Sequence, residues 1–417
     1  MSGHALVPEL LPSPRILMGP GPSMADPRVL RAMATPLLGQ FDPEFTGLMQ
    51  EVMDLSRLVF QTQNPFTFPV SGTGRAGLEA AIASFTEPGD RVVVAECGRF
   101  GLLCGDIAER HGATVSWVRS EWGTSVDPDA VGAALAAAPT RLLVAVHGET
   151  STGVLQPLAP LARLAHAHDA LFMADAVVTL GGCAVDVDRH EVDVAVGGSQ
   201  KCLSCPSGLA PVTYNARAAE VLRRRRTKVG SNYLDLSQLA EYWSPARFNH
   251  HTAPTSMVYG FREALRAVAV EGLPQRYARH RRHGDALRAG VAALGLRLFG
   301  AADAAHRLPM LTPVVVPEGV DDQRVRQRLL DDFGVEIGAA FGPLQGKIWR
   351  IGTMGYSAAR TNVLLCLAAL EHVLRGEGFT CAGGAGVDAA IAHYASAGAR
   401  PEGGVSDSLG ATGIGRL

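Results

Sequence analysis

The sequence predicts an α/β fold: a large, doubly wound domain on a mostly parallel sheet, followed by a smaller α+β domain. Three observations predict it. Short apolar runs alternate with amphipathic stretches from about residue 66 to 270. The runs are near-continuous in Val, Leu, Ala and Phe, as strands covered on both faces require. After a long helical stretch at 256–270 the spacing of the runs changes. A chain of 417 residues also has length for a large domain plus a small one and for a substantial core.

Seven strands are expected, in order. FTFPV (66–70) runs into Ser-Gly, and RVVVA (91–95) is almost wholly branched aliphatic. TVSW (114–117) mixes β-branched and aromatic residues. RLLVAV (141–146), ALFMA (170–174), VDVAV (192–196) and APVTY (210–214) complete the set. Amphipathic helical stretches lie between several of them, such as 77–85 and 158–168. Beyond residue 270 the pattern gives a basic helix (275–294), a strand (311–316), a helix (321–333), a strand (348–351) and a last helix (360–374). The expected division is an N-terminal arm (1–20), a large domain (21–270), a small domain (271–378) and a tail (379–417). The tail is rich in Gly, Ala and Ser and is expected to be loose from about residue 385. No internal repeat is present.

Apolar residues make up 47% and charged residues 19%, with a formal net charge of −2. That composition is globular and offers no basic field for a nucleic acid or an anionic membrane. The one basic block, RRRR (223–226), reads as a solvated helix end near a subunit contact. Seven cysteines (97, 104, 183, 202, 205, 366 and 381) are an odd, scattered set, so a disulfide framework is not expected and a reducing compartment is. With no basic-then-apolar leader and no apolar run near ~20 residues, the expected location is the cytoplasm.

SGTGRAG (71–77) follows the first strand and opens a helix. It has the G-x-G-x-x-G form at Gly72, Gly74 and Gly77, with Glu96 near the end of the next strand, so a nicotinamide-dinucleotide protein is one candidate. More generally, the amides of Thr73, Gly74 and Arg75 at a helix N-terminus suit a phosphate. LFMADAV (171–177) puts Asp175 at the C-terminal edge of a buried strand, where α/β folds bind ligands. The next strand runs into VGGSQKCLSCPSG (196–208), which carries Lys201. This stretch is not G-x-x-x-x-G-K-[ST], so it is no phosphate loop. It lacks a second Cys/His pair for zinc, and no metal is expected. Pro206 breaks the helix that a redox C-x-x-C would open, which leaves Cys202 and Cys205 as packing residues. Lys201 reads better as an amine that reacts with a carbonyl. An acid and an amine on neighbouring strand ends suit a pyridinium cofactor, the acid holding the ring N–H and the lysine holding the aldehyde as a Schiff base.

Seven motifs occur in order: GPGPS (19–23), SGTG (71–74), HGETSTG (147–153), ADAV (174–177), GGSQK (197–201), NHHTAP (249–254) and WRIG (349–352). From about Gly19 to Leu374 the chain thereby resembles the class V aminotransferases of fold type I, in the alanine–glyoxylate and serine–pyruvate branch. The resemblance implies pyridoxal 5′-phosphate on a seven-stranded large domain, in a homodimer. It implies that Lys201 binds the cofactor aldehyde and moves the substrate proton, with Asp175 on the ring nitrogen. Thr73, Gly74, Arg75 and Gln200 would hold the phosphate, joined by Thr252 across the dimer interface. Thr150 would reach the ring hydroxyl, Val177 would pack on the ring, and Phe100 stands where alanine–glyoxylate enzymes carry a stacking tryptophan. Gly21 would border the substrate, and Arg350 would clamp its carboxylate with two parallel hydrogen bonds. A cysteine desulfurase shares this fold but needs a mobile catalytic cysteine, for which neither Cys366 in a helix nor Cys381 in the tail is well placed.

Two positions depart from the alanine–glyoxylate pattern. Gln40 stands in LLGQFDPEF, and Asn249 stands where that branch has tyrosine. Each primary amide offers a donor and an acceptor, which matches a ureido group. Here the chain resembles the (S)-ureidoglycine–glyoxylate aminotransferases of purine catabolism, which pass the amino group of ureidoglycine to glyoxylate. The two amides could instead only tie loops at the dimer interface, with alanine or serine as the donor. His250 and His251 are expected to be structural.

Overall fold

All seven expected strands pair into one sheet in the computed structural model, which describes residues 9–396. They are β1 (Phe66–Ser71), β2 (Arg91–Glu96), β3 (Thr114–Arg119), β4 (Leu142–Val146), β5 (Leu171–Asp175), β6 (Val194–Val196) and β7 (Leu209–Tyr214). Their spatial order is β1-β7-β6-β5-β4-β2-β3, and only the pairings of β7 with β1 and β6 are antiparallel. The strands β4, β5 and β6 are buried along their whole length. Helices cover both faces, which is why these strands show no polar alternation. β7 runs backwards because the connection 197–208 contains no crossover helix and returns beside β6.

A second core, separate from the one around this sheet, includes Met18, Leu287, Trp349, Ile351, Leu370 and Tyr394. It backs a three-stranded antiparallel sheet formed by β8 (Leu311–Val315), β9 (Gly338–Ala339) and β10 (Ile348–Gly352), with β10 in the middle. Side chains alternate along a strand, so Trp349 and Ile351 enter this core while Arg350 between them points the other way. It reaches the large sheet's cleft, donating from Nη1 to the Thr150 carbonyl at 3.0 Å.

Two expectations are corrected. The tail is not loose from 385: Ala385–Ser396 is a helix, with Ala390 and Tyr394 buried in the second core. It packs against the helix Leu273–Ala293, where Tyr394 Oη lies 2.7 Å from His283 Nδ1. Its Gly- and Ala-rich composition allows a close helix crossing as readily as disorder. Residues 397–417 of the expected tail and 1–8 of the expected arm lie outside the described residues. The block RRRR is not wholly solvated either. Arg225 folds back and donates to the carbonyls of Ala83, Ser84 and Thr86 at 3.1, 2.8 and 2.6 Å, closing the end of the helix Gly74–Phe85. Among the described residues, no helix is long and apolar enough to cross a membrane, and all seven cysteines are free thiols.

Candidate active site

The carboxyl ends of β4, β5 and β6 lie level, since Val146 pairs with Asp175 and Asp175 with Val196. A pocket of about 600 Å³, open to solvent, lies at this rim. Nine of the residues singled out from the sequence line it: Thr73, Gly74, Arg75, Phe100, Thr150, Asp175, Val177, Gln200 and Lys201. The loop after β6 carries Lys201 into the pocket, where Nζ donates to the Pro20 carbonyl at 2.6 Å. Gly21 lies against this amine at φ +115°, and a Cβ there would collide with Lys201 Nζ. Burial, with Arg350 nearby, lowers the Lys201 pKa to about 8, so neutral amine is available near physiological pH.

Asp175 is buried at the end of β5, and its Oδ1 accepts the Val177 amide at 2.9 Å. Burial raises its pKa to about 7, opposed by the Val177 hydrogen bond and helped by Glu149. A cationic N–H partner would hold it as a carboxylate. Thr73 caps the helix Gly74–Phe85 without a side-chain cap bond. The amides of Thr73, Gly74 and Arg75 have no acceptor among the described residues. A Cβ on Gly74 would come within 2.9 Å of Val177, so that residue must stay small. Gln200 Oε1 is buried in the same pocket with no hydrogen-bond partner. An amine beside a buried acid, a cradle of free amides and an orphaned amide oxygen together fit pyridoxal 5′-phosphate.

Glu96, the acid that a dinucleotide would need, is buried away from this pocket. It accepts from Trp122 Nε1 at 2.8 Å and pairs with Arg119 at 3.6 Å. Cys202 and Cys205 are buried, their thiols pushed up by burial to about 11 and about 12, so they pack rather than react. Cys366 is buried in the helix Arg360–Gly376.

Arg350 is buried, and burial lowers its pKa to about 10. Nε donates to the Ala339 carbonyl at 2.7 Å and the guanidinium lies 4.4 Å from the Phe341 ring centroid. These contacts fix the fork while Nη2 has no protein partner among the described residues.

Gln40, Asn249 and Thr252 do not line the pocket of their own chain. Gln40 Nε2 donates to Asn249 Oδ1 at 3.2 Å, and Gln40 Oε1 accepts the Ala253 amide at 2.9 Å. Next to them His250 and His251 form a chain of bonds: Ser71 Oγ to His251 Nε2 at 2.7 Å, Nδ1 to Nδ1 at 2.8 Å, and His250 Nε2 to the Asn232 carbonyl at 3.2 Å. A carbonyl only accepts, so His250 donates from Nε2, and in the tautomer with the single proton there its Nδ1 accepts from His251. With that tautomer Ser71 donates to His251 Nε2.

Burial, with His250, lowers the His251 pKa from 6.5 to about 4. The unfolded chain therefore takes up this proton before the folded one. The corresponding stability is present above pH 6.5 and lost as pH falls towards about 4. Between those values the melting temperature of His251→Asn, each protein referred to its own value at pH 7.5, is expected to fall less than that of the parent. Parallel curves would contradict it.

The residue that the sequence reading passed over is Glu149, the third letter of HGETSTG. It is completely buried behind the pocket and receives hydrogen bonds from Ser151 and Phe100. Its only mark in the sequence is that it is the one acidic residue within HGETSTG.

The family model for aminotransferase class-V matches residues 17–345. The chain is 48% identical to the (S)-ureidoglycine–glyoxylate transaminase of Bacillus subtilis, over 95% of this chain and 99% of that one. It is 38% identical to the alanine–glyoxylate aminotransferase of Callithrix jacchus, over 90% and 93%. The crystal structure of the ureidoglycine–glyoxylate aminotransferase from Bacillus subtilis superposes with a TM-score of 0.91 at 50% identity, covering 93% of this chain and 100% of that one.

Proposed function

We propose, from the premise that the chain belongs to the class-V aminotransferases, that it passes the amino group of (S)-ureidoglycine to glyoxylate, giving oxalurate and glycine in two half-reactions. Pyridoxal 5′-phosphate supplies the aldehyde that takes up the amino group and a protonated ring that withdraws electrons from the donor's Cα. The free amides of Thr73, Gly74 and Arg75, with Gln200, hold its phosphate at the helix N-terminus. Val177 and Phe100 would face its ring, Thr150 would be the partner of its ring hydroxyl, and Asp175 would hold the proton at the ring nitrogen. Lys201, whose amine is partly neutral near pH 8, would be the base that takes the proton from the donor's Cα. Arg350 binds the α-carboxylate through the edge of its fork that the protein leaves open.

The observation that carries the choice of donor is the Gln40–Asn249 pair. Two amides far apart in sequence meet at 3.2 Å, and Asn249 Nδ2 keeps both hydrogens without a protein acceptor among the described residues. Asn249 Nδ2 and the second hydrogen of Gln40 Nε2 are left to donate to a ureido carbonyl, and a methyl side chain would leave those donors unpaired. Because neither lines its own chain's pocket, they and Thr252 would serve the site of a second copy in a homodimer. The exposed side chains of Leu37, Phe41, Tyr233 and Phe248 around them give that contact apolar area. Seven free thiols support a reducing, cytoplasmic setting.

The test is the first half-reaction, followed by loss of the bound cofactor's yellow band with no keto acid present. Fast bleaching by ureidoglycine, generated in situ, with slow bleaching by alanine and serine is expected; the reverse order would assign the general glyoxylate activity. Replacing both Gln40 and Asn249 by leucine should slow the ureidoglycine reaction roughly tenfold or more while sparing alanine. Equal losses would count against the ureido contact.

A further inference from the structure

Glu149 has no assigned part in the chemistry above, yet it occupies a commanding place. Its carboxylate lies at the N-terminus of the helix Arg99–Arg110, whose cap residue Gly98 brings no side chain. Oε2 accepts the Phe100 amide at 2.9 Å, while Oε1 accepts the Ser151 amide at 2.9 Å and the Ser151 hydroxyl at 2.6 Å. Ser151 Oγ in turn accepts the Arg99 amide at 2.9 Å. Thus the first turn of this helix is capped from another segment, the short strand Gly148–Glu149 and the turn after it. A Cβ on Gly98 would collide with Glu149 and Ser151, so the cap fits only a glycine. Phe100, in this first turn, presents its ring to the pocket, and Thr150, next to Glu149, lines the same pocket.

We infer that Glu149 is a positioning residue that sets the Phe100 ring and Thr150 in one register about the cofactor. One carboxylate ties together the helix that carries the ring and the loop that carries the hydroxyl, so neither can shift alone. No cation pairs with it among the described residues; the amides that it receives carry the positive end of the helix dipole. Burial raises its pKa, and in the charged form it adds to the upward shift of Asp175. The inference rests on the reading of Phe100 as the ring-stacking residue.

Glu149→Gln tests it, because a carboxamide replaces one acceptor oxygen with a donor. Whichever way it turns, the amide of Phe100 or of Ser151 faces an N–H group. Ser151→Ala loosens the same cap more gently and serves if the first variant does not fold. The readouts are the visible circular dichroism of the bound cofactor and its release rate on dilution, with the melting temperature of the cofactor-free protein as control. Expected are a changed dichroic band and release about tenfold faster for Glu149→Gln, in the same direction but smaller for Ser151→Ala. Phe100→Ala should change the band in the same sense. If both cap variants keep the parent's band and release rate, whatever their melting temperatures, the inference fails. If Phe100→Ala leaves the band unchanged, the stacking reading fails, and the inference with it.

Discussion

Lys201→Ala is expected to abolish transamination, with the half-reaction slowed on the order of 10⁴-fold or more. The size follows from how many tasks meet at one atom. In the proposed reaction Nζ would be both the amine that holds the cofactor aldehyde and the base at the donor's Cα. Among the described residues no second lysine lines the pocket: of the guanidinium groups at hand, Arg75 has no amine to offer and Arg350 keeps its proton at a pKa of about 10. The cradle of Thr73, Gly74 and Arg75 is untouched by the substitution, so the variant should still bind pyridoxal 5′-phosphate, with the absorption of a free aldehyde. Retained binding with lost turnover is therefore the expected signature, read by absorption and by single-turnover kinetics. Small primary amines such as methylamine should restore part of the rate, since the alanine leaves space beside Gly21. Turnover near the parent's without added amine would overturn the role of Lys201 and with it the proposed activity.

The parts of this site that were legible in the sequence are those carried by strands. The end of VDVAV and the end of LFMAD (171–175) predicted that Lys201 and Asp175 share a rim, because parallel neighbours in a buried sheet bring their carboxyl ends together. Helix starts, too, are marked in the sequence. The helices Pro27–Met33, Pro43–Phe60 and Pro128–Ala137 each open with an aspartate cap and a proline. Less legible was everything that depends on what a loop touches. Residues Gln40 and Asn249 could be suspected of a common purpose, but their hydrogen bond joins segments with no periodic pattern of their own. Glu149 was hidden because its partners are backbone amides, which no residue type announces. The helix Ala385–Ser396 was lost to its composition, since small residues at a close helix crossing look like a linker until the neighbour Leu273–Ala293 is known.

Asp175→Asn is expected to lower kcat/KM roughly 10²–10³-fold, the range for leaving one partner of a buried charged pair unmatched. Asparagine has nearly the same shape and can still accept the Val177 amide, so the fold should survive. The other half of the carboxamide then offers N–H groups where the ring nitrogen needs an acceptor. Turning the amide over restores that acceptor only by opposing the Val177 amide. The same substitution has an opposite effect without the cofactor. Burial raises the Asp175 pKa from 3.8 to about 7, so the folded form keeps a proton that the unfolded form has lost. Its contribution is fully present below 3.8 and disappears as pH rises through about 7. Asparagine cannot ionise and escapes that loss. At pH 8 the cofactor-free variant should therefore melt above the cofactor-free parent, whereas the loaded variant should melt below the loaded parent. Only a carboxylate held charged by the cofactor gives both signs. A variant less stable than the parent in both states would make Asp175 a strand-end cap, and the ring nitrogen would need another partner.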